Sequence, residues 1–99
     1  GDKNPVGAVR KLVTDGSTRA REYAAIALGR LKDTGSAGAL RKMLSEEDEN
    51  LRAAAAEGLG EMGDAGSIGA LRAALAAEPF EWVRGKMETA VKKLGASVR

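Results

Sequence analysis

Arg10, Arg41 and Arg72 stand 31 residues apart along this 99-residue chain, and Lys11 and Lys42 follow the first two. A row of guanidinium groups can hold carboxylates or phosphates through planar, two-pronged hydrogen bonds, so the chemistry on offer is recognition of an acidic group. The competing reading is that exposed helix positions favour Arg and Lys for helix propensity and solubility. Gly7, Gly38 and Gly69 precede these arginines by three residues. They form either a shallow floor for a partner's backbone or first-turn positions where glycine costs little. Phe80 and Trp82 sit beside Pro79, where the repeat is interrupted. Trp82 aligns with the polar Asn50 and Arg19, which marks it as a candidate contact residue, with packing of the last turn between repeats as the alternative.

The residues that are missing narrow the chemistry further. With no Cys and no His, the chain has no disulfide, no thiol nucleophile, no imidazole acid–base pair and almost no route to a zinc site. The acidic run Glu46-Glu47-Asp48-Glu49 lacks the alternating ligands and glycine of a calcium loop, and suits the start of a helix instead. No enzymatic activity, cofactor or metal is therefore expected. No apolar run approaches the ~18 residues of a membrane span, and no signal-peptide core follows Gly1-Asp2-Lys3-Asn4. The expectation is a cytoplasmic protein without a membrane partner.

Positioning these side chains requires regular elements, and the chain repeats itself. Leu28-Gly29-Arg30-Leu31-Lys32-Asp33 falls on Leu59-Gly60-Glu61-Met62-Gly63-Asp64, and Gly35-Ser36-Ala37-Gly38-Ala39-Leu40-Arg41 on Gly66-Ser67-Ile68-Gly69-Ala70-Leu71-Arg72. The offset grows by one residue near Pro79. Each unit holds two amphipathic helices. One, called A, is apolar at Leu51, Ala55, Leu59 and Met62, and again at Val83, Met87, Val91 and Leu94. The other, B, is apolar at Val6, Val9, Leu12 and Val13, at Ala37, Leu40, Met43 and Leu44, and at Ile68, Leu71, Ala74 and Leu75. Asn4-Pro5, Asp33 and Asp64 read as starts of B helices, and Gly63 and Gly95 as ends of A helices. A helix pair of this period cannot bury its apolar face alone, and stacking copies makes one continuous core. The expected fold is all-α: a right-handed solenoid of about six helices in the order B-A-B-A-B-A. It is read as a single domain over 1–99, with a B helix at 5–14, repeats at 18–45 and 49–77, and a C-terminal capping helix at 80–97.

Leu51-Arg52, Val83-Arg84, Ala24-Ala25-Ile26-Ala27-Leu28-Gly29 and the following Ala39-Leu40-Arg41-Lys42-Met43-Leu44 resemble the short HEAT-like repeat of the phycobilin lyase type. Ala20-Arg21 in place of Val-Arg, and Lys32 in place of the Gly before Asp33, depart from it. The resemblance implies a structural role for Arg21, Arg52 and Arg84, each reaching polar groups of a neighbouring turn. It also brings chromophore lyases and a metal-dependent hydroxylase into view. The hydroxylase needs His-Glu motifs for iron, which this chain cannot supply.

The two ends of the array differ. Arg21-Ala25-Gly29 and Arg52-Ala56-Gly60 give the A helices a small-residue face for the next repeat, whereas Arg84-Glu88-Lys92 closes the last one with charge. At the other end the apolar residues of the first B helix have no preceding A helix. Either upstream residues of a longer protein cover them or the helix is a simplified cap.

The leading functional expectation is a protein-interaction scaffold, with the B helices lining a concave surface whose ridge of Arg10, Lys11, Arg41, Lys42 and Arg72 meets an acidic protein or peptide. A regulatory or accessory subunit related to chromophore lyases is one alternative. Weak nucleic-acid binding is another, disfavoured because residues 46–81 hold two Lys/Arg against nine Asp/Glu and interrupt any basic stripe.

Overall fold

A computed structural model describes residues 5–98 as six α-helices: α1 Pro5–Asp15, α2 Thr18–Arg30, α3 Ala37–Met43, α4 Glu49–Met62, α5 Ile68–Ala77 and α6 Glu81–Val98. Local chemistry sets their limits. Pro5 opens α1 at the position where a missing N–H costs nothing; Asn4, expected as its cap, lies outside the described residues. Ser17 Oγ accepts the Ala20 N–H at the start of α2, and the Asp48 carboxylate accepts the Asn50 N–H at the start of α4. Gly63 ends α4 in the left-handed conformation with φ 80°. Lys32 occupies the same position after α2 and takes φ 55°, a conformation that L side chains adopt at a cost.

Two punctuation marks read differently in three dimensions. Asp33 and Asp64 precede short 3₁₀ turns, Thr34–Ser36 and Ala65–Ser67, and the B helices begin one turn later. Gly95 does not end α6, which runs on to Val98. An Asp follows Gly63 and begins the next turn, but Ala96 follows Gly95 and the helix continues.

The elements pack as hairpins α1–α2, α3–α4 and α5–α6, and the hairpins stack through α2, α4 and α6. Leu28, Leu40, Met43, Leu59, Leu71, Val83, Met87 and Leu94 are fully buried, each worth roughly 1.5–3 kcal/mol of apolar transfer. They form one continuous core through all three hairpins, an all-α helical repeat stack.

Small residues bring the A helices unusually close. A Cβ on Gly29 would lie 2.3 Å from the Gly58 carbonyl oxygen, and one on Gly60 would lie 3.1 Å from Ala90 Cα. On the other side, α3 and α5 stand apart around an open groove of about 590 Å³. We call the α2–α4–α6 side the inner side, and the side of the B helices α1, α3 and α5 the outer side.

Candidate functional site

Two of the three regularly spaced arginines bind within the chain. Arg10 grips Asp33 with both prongs, Nε to Oδ2 at 2.7 Å and Nη2 to Oδ1 at 2.6 Å. Arg41 Nη1 reaches Asp64 Oδ2 at 3.1 Å and Ser67 Oγ at 3.2 Å. Each arginine–aspartate pair spans 23 residues, from a B helix to the turn that starts the next B helix. Ser36 Oγ donates to Asp33 and Ser67 Oγ donates to Asp64, so the acceptors are held in matching Asp-x-x-Ser turns. The hydrogen bond from Arg10, then that from Ser36, holds the Asp33 carboxyl at about 2, well below the usual carboxylate range. Arg72 has no such acceptor: the position 23 residues on is Gly95. Among the described residues Arg72, Lys11 and Lys42 are exposed and without an ion-pair partner.

The second arginine series knits turns together. Arg21 donates to the Val13 carbonyl at 2.7 Å and to Glu46 at 2.9 Å. Arg52 holds Glu78 through two bonds and also donates to the carbonyls of Glu46 and Glu47. Arg84, expected on the closing polar face, instead folds back onto the carbonyl of Leu75 at 2.9 Å. That face keeps the exposed Glu88 and Lys92. Gly7, Gly38 and Gly69 all lie in first helical turns, where glycine costs little.

Outside the core there are two distinct surfaces. On the outer side, the groove between α3 and α5 is floored by Leu44, Ala70, Ala73, Ala74 and Ala77, with Arg41 at its margin. Its floor is small because α5 carries alanine at 73 and 77, where the preceding unit has Lys42 in α3 and Glu46 in the turn after it. The inner side presents the outward residues of α2, α4 and α6. Here Lys86 pairs with Glu57 at 3.2 Å and Lys93 pairs with Glu61, closing the charges of α4 and α6 on each other. The hydrogen bond from Lys93 holds the Glu61 carboxyl below its ordinary value. Trp82, 46% exposed, donates its indole N–H to Glu49 at 3.2 Å, a contact between the starts of α6 and α4.

On α2 the inner side is unanswered. Tyr23 is 68% exposed and joins Leu12, Arg19, Ala20, Glu22 and Ile26 around an open depression of about 580 Å³. Arg19 and Arg30 are exposed and make no hydrogen bond or ion pair among the described residues. Sequence reasoning singled out none of Arg19, Tyr23, Ile26 and Arg30. Their spacing of four, three and four is a helical stripe that could have found them, but it was masked by the stronger 31-residue echo.

A stack of three amphipathic hairpins around one continuous core defines a helical-repeat fold. A family model of HEAT repeats matches residues 7–92, so this chain belongs to the HEAT-repeat family. HEAT repeats are generally a non-enzymatic fold and commonly serve as protein-interaction scaffolds. No curated protein matches the chain. No helix among the described residues is long and apolar enough to cross a membrane.

Proposed function

We propose that this chain is a protein-interaction adaptor whose partner is acidic and lies on the inner face of α2, α4 and α6. One contrast carries the reading. Glu57 and Glu61 of α4 are taken up by Lys86 and Lys93 of α6, while Arg19 and Arg30, on the same stripe of α2 as the exposed Tyr23, have no ion-pair partner among the described residues. An aromatic anchor between two free arginines is the composition that protein interfaces favour at their energetic centre.

The second reading places the same acidic partner on the outer ridge. It is favoured by Lys11, Lys42 and Arg72, which have no ion-pair partner among the described residues, and by the alanine-floored groove between α3 and α5. Affinity capture from source cells separates the two, using wild type, an Arg19→Glu/Arg30→Glu variant and a Lys11→Glu/Lys42→Glu/Arg72→Glu variant, each with unchanged helical circular dichroism. Partners lost only with the first variant support the inner face, and partners lost only with the second support the ridge. Identical lists for all three would remove the acidic-partner reading. The short 31-residue period supports kinship with the phycobilin lyase type of repeat, and an unchanged absorbance spectrum on titration with a bilin would discard any pigment-handling role.

A further inference from the structure

Trp82, the chain's one tryptophan, is about half-exposed at the start of α6. That exposure belongs to the position and not to the end of the stack. Trp82 corresponds to Asn50 of α4, which is exposed although α4 packs against α2 on one side and α6 on the other. The ring therefore lies on the edge formed by the turns between B and A helices, which stacked hairpins leave open. On this edge Pro79, Phe80 and Trp82 replace Glu47, Asp48 and Asn50 of the preceding unit, and all three are exposed.

Hydrogen bonding decides what the patch offers. The indole N–H is committed to Glu49 Oε1 at 3.2 Å, so the part of Trp82 left for a partner is the face of the ring, which carries negative π density. The same bond holds the ring against the start of α4. Glu47 and Glu81 are exposed, and their side chains make no hydrogen bond or ion pair among the described residues. Glu46 and Glu78, by contrast, are taken up by Arg21 and Arg52. The cations nearby are occupied as well: Arg52 by Glu78, Arg84 by the Leu75 carbonyl and Lys86 by Glu57. Arg19, exposed at the same edge, stands on α2 with α4 between. An open aromatic face, with Glu81 next to it in the chain and Glu47 in the neighbouring turn, attracts a cation.

We propose that this edge binds a basic segment of another protein through an arginine. The planar guanidinium lies on the open face of Trp82 and donates to Glu81 or to the second oxygen of Glu49, while an apolar residue beside it rests on Pro79 and Phe80. Arginine fits better than lysine because its charge is flat and weakly hydrated, so it stacks on the ring at less cost in lost water. An acidic segment meets the same carboxylates as repulsion. The edge takes charge opposite to that taken by the α2 face, so it stands apart from the acidic-partner reading, and one chain can hold an acidic and a basic partner at once.

The test titrates the full chain with a capped hexapeptide carrying arginine, leucine and arginine among serines, and with versions in which lysine or glutamate replaces arginine. Because Trp82 is the single tryptophan, its emission reports the site directly. The arginine peptide should change that emission saturably, the lysine version should bind more weakly, and the glutamate version should leave it unchanged. Anisotropy of the labelled arginine peptide should show affinity lowered about fivefold by Trp82→Leu, and lowered also by Glu47→Lys/Glu81→Lys, each at unchanged helical circular dichroism. The proposal is overturned by no saturable response to the arginine peptide, by an equal response to the lysine or glutamate version, or by affinity that neither variant lowers. A concentration-dependent dimer of the chain that Trp82→Leu abolishes would overturn it too, by assigning the edge to a second copy.

Discussion

Arg52 clamps Glu78 with two parallel hydrogen bonds, Nε to Oε1 at 2.7 Å and Nη2 to Oε2 at 3.0 Å, with both side chains largely withdrawn from water. The pair ties the start of α4 to the turn between α5 and α6, and its guanidinium also stands 5.9 Å from the centre of the Phe80 ring. The hydrogen bond from Arg52 holds the Glu78 carboxyl below its ordinary value, against the opposing effect of burial. Arg52→Ala leaves a buried carboxylate without its partner, so urea unfolding should show a loss of about 3 kcal/mol. Replacing both residues, Arg52→Met with Glu78→Leu, should cost clearly less than the single change, because no buried charge is stranded.

The Asp33 bond makes part of the stability depend on pH. Folding lowers the carboxyl to about 2, so the unfolded chain binds this proton more readily than the folded one. The contribution is complete above the unfolded aspartate value of about 4 and fades as the pH falls toward 2. Stability curves of wild type and Asp33→Asn should therefore differ at pH 6 and converge in that window.

The outer arginines divide by whether they find a carboxylate. Arg41→Ala should cost about 1 kcal/mol or less, as a half-exposed pair does. Arg72→Ala should leave the melting temperature unchanged within error, since no partner of Arg72 is present among the described residues. An equal loss at both positions would show that Arg72 is engaged as well.

Glycine changes should split in sign. Gly29→Ala drives a methyl group into the Gly58 carbonyl at 2.3 Å and should cost about 1–3 kcal/mol through overpacking. Gly85→Ala meets nothing within 4 Å in the middle of α6, and should add about 0.5–1 kcal/mol through helix propensity. Lys32→Gly relieves the left-handed φ of 55° and should gain about 1 kcal/mol, less what is lost with the bond from Lys32 Nζ to the Glu61 carbonyl.

The number and order of the helices were legible because Leu28, Leu59 and Val91 sit at the same point of an echo that only stacked hairpins produce. The close approach of α2 and α4 was not. Gly58 looked like one more small residue in Ala55-Ala56-Glu57-Gly58, and only its backbone contact with Gly29 reveals which side is drawn tight. The pairing of Arg10 with Asp33 was within reach, because Arg41 and Asp64 repeat the same interval of 23. The exposed look of an arginine on a polar helix face concealed it. Tyr23 was passed over for the opposite reason: its counterparts Ala54 and Lys86 do not echo it, so a search for recurrence could not find it.

Where Gly29 meets Gly58, main chain touches main chain with no side chain between them. Such a seam cannot be shimmed by a rotamer change; neighbouring hairpins can pivot about it but not slide apart. The bridges from Arg10 to Asp33 and from Arg41 to Asp64 act as struts across the opposite rim. Salt weakens such struts and leaves the seam alone, so ionic strength acts on one side of the stack and not on the other.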